Sequence, residues 1–239
     1  MFPASAFPAT QWTLILTAGE GDSKAADEAL AQLCRAYWFP VYAFIRHKGN
    51  PADEAQDLTQ EFFARCLERR HFATADPSRG RFRSFLLTCV KNFLADQSDR
   101  RNAEKRGGGT AFLPLELEDG ENRYNKELID NDTPEKLYER AWAQTLIARV
   151  NDNLRTAFSR EGRADQFDQL KQYLPGGAGP EPYSDAAREL GASEGALKVA
   201  VHRIRRRYRE MFRTEIANLV SRTDQVDEEV RYLLQVLRG

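Results

Sequence analysis

The chain has 239 residues, 41% of them apolar and 30% charged, with 35 Lys and Arg set against 36 Asp and Glu. That length and apolar content suit one large or two modest hydrophobic cores and exclude wholesale disorder. No apolar run approaches the roughly 18 residues of a membrane span, and the opening MFPASAFPAT lacks the basic and apolar regions of a secretory leader, so a cytoplasmic protein is expected.

Alternating β-branched runs are nearly absent and apolar residues recur at helical spacing, so the expected class is all-α. Leu30, Leu33, Tyr37, Val41 and Ile45 form the first stripe. Asn50 and Pro51 read as an N-cap and first turn, with Asp53 just inside the helix. That second helix carries Ala55, Leu58, Phe62 and Cys66 on one side and Asp57, Gln60, Glu61 and Glu68 on the other. ATADPSRGR (residues 73 to 81) reads as a surface loop, and a third helix follows near Phe82 to Ala95. Its inward positions are Phe82, Phe85, Cys89 and Phe93, while Leu87, Val90 and Leu94 cover its other side, as in the centre of a bundle. Charge also clusters here. Arg79 to Arg106 holds eight basic and three acidic residues, whereas Glu116 to Glu135 holds eight acidic and two basic. Gly107, Gly108 and Gly109 break the helical pattern, so residues 107–132 read as a flexible acidic linker. The triple glycine has neither the spacing nor the preceding strand of a phosphate loop.

Thr133 and Pro134 cap a long helix with Trp142, Leu146, Val150 and Leu154 inward. LPGGAGPEP (174 to 182) is a second breaker. After it comes a short helix ending at Leu190, a turn at Gly191, Ser193 as N-cap and a longer helix, the pattern of a helix-turn-helix. Leu197, Val201, Ile204, Tyr208 and Phe212 share one narrow arc of the longer helix. Gly195, Val199, His202, Arg206, Arg209 and Arg213 lie opposite, flanked by Lys198 and Arg205. Glu194 to Arg213 holds seven basic and two acidic residues. An apolar stripe with a cationic back suits a helix that packs on its own domain and enters a major groove. A membrane-surface or calmodulin-like basic helix would leave the short helix and the Gly191 turn unexplained. Asp224 reads as the cap of a last helix striped by Val226, Val230, Leu233 and Leu237, which is expected to dock back on the rest of the chain. Cys34, Cys66 and Cys89 are far apart, which argues for a reducing compartment and against a disulfide framework or thiolate zinc site. No metal or cofactor is expected.

Three of these segments resemble the extracytoplasmic-function type of bacterial RNA polymerase sigma factor, a two-domain subset of the sigma-70 family. PADEAQDLTQEFFARCLER is similar to region 2.2, FRSFLLTCVKNFLAD to region 2.3 and its neighbour, and SDAARELGASEGALKVAVHRIRRR to region 4.2. TQWTLILTAGEGD, EKRGGG and the last helix resemble a branch found in planctomycetes and related bacteria. The resemblance covers about residues 25 to 105 and 134 to 215. It departs from the family at Phe85, where a tryptophan is usual, and at the glycine-rich QFDQLKQYLPGGAGPEPY.

The resemblance implies a region 2-like domain over 12–106, the linker over 107–132, a region 4-like helix-turn-helix domain over 133–219 and an extension over 220–239. It implies that Asp53, Asp57, Gln60, Glu61 and Glu68 bind the beta-prime clamp of core RNA polymerase. Arg79, Arg81, Arg83, Lys91, Asn92, Asp96, Arg100 and Arg101 would serve the promoter -10 element, with Phe72 and Phe82 as candidate stacking rings. Ser193, Glu194, Gly195, Lys198, Val199, His202, Arg203, Arg206, Arg209 and Arg213 would serve the -35 element. Expected partners are core polymerase, through clamp and beta flap, promoter DNA, and an anti-sigma protein or other regulator, with a monomer when free and no membrane insertion. Two other classes compete. A stand-alone helix-turn-helix regulator with an N-terminal dimerisation domain leaves the acidic face idle. An enzyme would need Glu54 and Asp57, or Asp53 and Asp57, as a carboxylate pair, and neither has a His or Lys partner at sensible spacing.

Overall fold

The structure is a computed structural model that describes residues 24–68, 81–103, 120–127, 132–177, 182–220 and 223–238; over these it contains helices and turns and no strand. The opening TQWTLILTAGEGD, Phe72, Arg79 and EKRGGG lie outside the described residues, as do the side chains of Glu68, Arg100 and Arg101.

Helix α1 (Lys24–His47) buries Leu33, Tyr37, Val41 and Ile45 as its stripe requires. Its end corrects one expectation. The Asn50 side-chain amide donates to the Ile45 carbonyl at 2.8 Å, so Asn50 closes α1 by satisfying an orphan carbonyl. Helix α2 (Ala52–Glu68) instead starts on the Pro51 carbonyl, which accepts from Ala55 N–H at 2.8 Å. Helix α3 (Phe82–Ala103) runs well past Ala95. Its deepest residues are Leu86 and Val90, with Phe82 and Phe93 beside them, while Phe85 and Cys89 are half-buried. The inward face is thus rotated toward the side assigned only as cover, because α3 is apolar on both flanks and periodicity alone does not choose between them.

The acidic stretch supplies a second correction. Helix α4 (Gly120–Glu127) forms within it and packs on α1. Tyr124 is buried, and Glu121 accepts from Tyr42 at 2.6 Å and from both nitrogens of the Arg46 fork at 3.1 Å. A Cβ at Gly120 would sit 3.3 Å from the Trp38 ring, so glycine permits this approach. His47 ties the same region down. Its Nε2 donates to the Asp132 carbonyl at 2.8 Å, and its Nδ1 shares a hydrogen bond with the Tyr124 hydroxyl at 3.0 Å.

Helix α5 (Pro134–Arg160) begins as the sequence indicates, with Thr133 Oγ1 accepting from Lys136 N–H at 3.2 Å and proline in the first turn. Its 27 residues span ~40 Å. Then come α6 (Ala164–Leu170), a single 3₁₀ turn (Lys171–Tyr173), α7 (Tyr183–Glu189) and α8 (Glu194–Ala217). A 3₁₀ turn (Thr223–Gln225) that contains Asp224 leads into α9 (Val226–Arg238).

The interior divides into two hydrophobic clusters, and the division falls inside α5. Leu137, Tyr138, Trp142 and Leu146 join α1, α2, α3, α4, the end of α8 and α9. Val150, Leu154 and Phe158 join α6, α7 and most of α8. Packing therefore does not break at residue 133, where the second unit was expected to start. The last helix docks on α5 and α8, burying Val226 and Leu233 with Val230 and Leu237 packed beside them.

Arg46 holds the Glu121 carboxyl below its ordinary value of 4.5, with help from Tyr42. A depressed carboxyl stabilises the fold above the ordinary value and loses that contribution as pH falls through the depressed one. Acidification below pH ~4.5 should therefore loosen α4 ahead of α1. Hydrogen exchange across a pH series would show faster opening of the α4 amides in the native chain and a flatter response in Glu121→Gln.

Candidate nucleic-acid interface

The helix-turn-helix segment is assembled by two local devices. Gly191 takes φ +59° in the turn, a region that glycine enters without a Cβ penalty. Ser193 sits in extended geometry, and its hydroxyl accepts from Ala196 N–H at 3.1 Å. From there the spacing decides which face is free. Leu197, Val201, Ile204 and Tyr208 are buried in the second cluster, whereas Gly195, Lys198, Val199, His202, Arg203, Arg206, Arg209 and Arg213 are exposed. Val199 keeps half its surface in solvent, and a Cβ at Gly195 would meet nothing within 4 Å. The start of the free face is thus low and partly apolar, and its later part is cationic.

Several of these cations already have partners. Lys198 lies 2.6 Å from Glu194, which raises its pKa, and sits over the Tyr183 ring. Arg206 faces Glu210 on its own helix at 3.7 Å, and Arg213 reaches Asp227 of α9 at 2.7 Å. Arg205, which flanks this face, is tied inward, its Nε donating to the Tyr173 carbonyl at 3.0 Å. Arg207, which the sequence reading did not single out, closes α8 onto the end of α5 through Glu161 at 2.6 Å.

On α2 the acidic face is narrower than expected. Asp53 and Asp57 are exposed, and Glu61 is half-buried and ion-paired with Arg65 one turn on. Gln60 is buried at 7% exposure, which contradicts its assignment to a free face. The buried arc of α2 extends beyond its apolar stripe to take in Thr59, Gln60 and Ala64.

The basic block divides. Arg83 was expected on a phosphate-binding surface, but it is 3% exposed. Its Nε donates to Glu139 of α5 at 2.7 Å, its Nη1 pairs with Glu229 of α9, and its guanidinium lies 4.5 Å from the Trp142 ring and 4.7 Å from that of Tyr232. Burial alone would lower the Arg83 pKa; the two carboxylates outweigh it and hold it above its ordinary value. Arg81 lies 2.7 Å from the other oxygen of Glu229, an ion pair without hydrogen-bond alignment, and 3.5 Å from Glu228. Lys91, Asn92 and Asp96 are exposed elsewhere. At ~100° per residue, Asn92 is half a turn round α3 from Arg83. Asn92 and Asp96 line a cleft of about 110 Å³ with Arg65, Phe62 and Phe93. Lys91 instead reaches Glu135 at 2.9 Å and lowers that carboxyl's pKa. Phe82 is buried against Tyr37, with ring centroids 5.2 Å apart, so it is a core residue and not a free stacking ring.

The sequence reading missed Glu229. It is wholly buried in the acidic first turn of α9, and only its place one turn after Val226, beside the apolar stripe, could have drawn attention to it.

Burial pushes the Cys34 thiol to about 12 and the Cys89 thiol to about 11, and raises Cys66 well above its ordinary value. These are poor nucleophiles near neutrality. Among the described residues no group of three or more His, Cys, Asp or Glu is placed to hold a metal, and no helix is long and apolar enough to cross a membrane.

Removing Glu229 would leave the Arg83 charge buried with a single carboxylate. Glu229→Ala should cost about 3 kcal/mol, at the lower end for a broken buried pair because Glu139 remains. Urea unfolding at neutral pH would measure it, and Arg81→Ala, at a half-exposed position, should cost clearly less.

Residues 33–104 match the family profile of Sigma-70 region 2, from midway along α1 to just past the end of α3. The match covers less than a third of the chain, so it is this segment, and not the whole, that resembles a part of sigma-70 family sigma factors. No curated protein and no solved structure matches the chain.

Proposed function

We propose that the chain is a dissociable promoter-specificity subunit of bacterial RNA polymerase, of the extracytoplasmic-function type and of the branch found in planctomycetes and related bacteria. The observation that carries the reading is the Sigma-70 region 2 match over residues 33–104. The helix-turn-helix geometry of α7 and α8, with one face buried and the other cationic, supports a second DNA-reading element. In this reading a region 2-like unit lies within 12–106 and a region 4-like unit within 133–219, with α5 as their common spine and 220–239 as an extension. Two weak DNA surfaces held by one chain gain affinity by linkage. The free factor works as a cytoplasmic monomer, contacts the beta-prime clamp and the beta flap, and answers to an anti-sigma protein or other regulator. A stand-alone regulator is not favoured, because it gives the matched region no task.

Asp53 and Asp57, with Glu61 at the edge, are the proposed clamp contacts; Gln60 is withdrawn from that set. Asp57→Arg should reduce affinity for core polymerase more than tenfold while leaving helicity and melting temperature nearly unchanged, since an exposed charge contributes little to stability. Co-elution with core enzyme at native strength would remove the assignment.

On the -10 side, Arg81, Lys91, Asn92 and Asp96 are the proposed contacts among the described side chains, with Arg81 held by Glu228 and Glu229 in the free chain. On the -35 side, the start of α8 reads bases and its later part holds the backbone. Arg213 lies ~27 Å along the axis from Gly195, and the major groove is about 12 Å wide, so the far arginines have left it. Lys198→Ala should then cost roughly 1–3 kcal/mol on a cognate -35 sequence and less on a scrambled one. Arg206→Ala should weaken both alike and reduce the salt slope by about one unit. Salt titrations of holoenzyme on the two sequences separate the roles.

A further inference from the structure

The first turn of α9 sets three carboxylates in succession, Asp227, Glu228 and Glu229, and each meets an arginine from elsewhere in the chain. Asp227 takes Arg213 of α8 at 2.7 Å. Glu228 lies 3.5 Å from Arg81, ahead of α3, and Glu229 takes both Arg81 and Arg83. Tyr232, one turn on, lies beneath the Arg81 and Arg83 guanidinium groups at 5.2 and 4.7 Å. Below them Val226 and Leu233 are buried. A row of anions held against arginines of two separate elements presents to them what a run of phosphates would.

We propose that α9 is an internal competitor for DNA phosphates. Its acidic first turn occupies Arg81 and Arg213, one on each of the two candidate DNA surfaces, so DNA must displace carboxylates to use either. The contacts differ in strength. Glu229 is fully buried with Arg83 and keeps the helix seated, whereas Asp227 and Glu228 are 66% and 70% exposed and can be exchanged. An arginine held at 2.7 Å by a carboxylate, unlike Arg206 at 3.7 Å from Glu210, adds little to counterion release when it moves to a phosphate, so α9 also flattens the salt dependence of binding.

The inference rests on the DNA-binding reading above, and the test keeps the two apart. The full chain, its Asp227→Asn plus Glu228→Gln variant, a truncation lacking 223–239 and Arg206→Ala are titrated onto a mixed-sequence duplex over a range of salt. The double amide variant should bind several-fold more tightly at low salt, with a slope steeper by about one unit as Arg213 is released, Arg81 staying on Glu229. The truncation should gain at least as much. If it loses helicity without Glu229 beneath Arg83, the double variant decides alone, because both its substitutions are at exposed positions. Should Arg206→Ala reduce the slope while the double variant binds like the native chain, α9 competes with nothing and the DNA reading stands. If neither changes binding, the reading of α8 fails and the inference falls with it.

Discussion

One guanidinium group holds three helices in register. Arg83 extends from α3 into a space closed by Glu139 of α5 and Glu229 of α9, and its backbone carbonyl accepts from the Tyr138 hydroxyl at 3.0 Å. A buried ion pair adds little net stability over a well-packed apolar substitute, because both charges must leave water. It does discriminate between arrangements. An apolar helix could slide or rotate on this surface with modest loss, but a displaced α9 would leave Arg83 charged, buried and short of a partner. The place of α9 is therefore fixed, and with it the end of α8 that packs beside it.

That constraint explains why the cationic block of α3 is not one surface. Net charge counted along the sequence treats Arg81, Arg83 and Lys91 alike. In the fold, Arg83 is committed to the interior, Arg81 stands at its edge against α9, and Lys91 points to the start of α5. The exposed Asn92 and Asp96 lie on a different side of α3, next to α2. The matched segment thus contributes both the core that seats the last helix and the cleft that stays open.

What the sequence disclosed, and what it withheld, follows from the range of each interaction. Thr133, Ser193 and Gly191 were legible because a cap or a turn acts within three or four residues of its own position. The stripe on α8 was legible because one side is apolar and the other charged, leaving a single way to turn it inward. On α3 both flanks are apolar, and Leu86 was passed over. Gln60 was not legible and Glu229 only faintly so, through its place beside the apolar stripe, since a polar residue is buried only when distant elements close over it. Tyr124 was hidden by its neighbours: eight acidic residues outweighed one aromatic ring, although Arg46 and His47 were waiting for that turn of chain.

Helix α5 serves both hydrophobic clusters and has no glycine or interior proline at which to bend. The clusters are consequently coupled in phase as well as in distance. Each residue of α5 advances ~1.5 Å and turns ~100°, so inserting one near Ile147 would swing the α6–α8 side by more than a quarter turn about the axis. An insertion of seven would bring the faces back almost into line while moving them ~10 Å apart. Evolutionary drift in the length of this helix should therefore come in multiples of its repeat, with the angle between the two clusters preserved and only their separation free to vary.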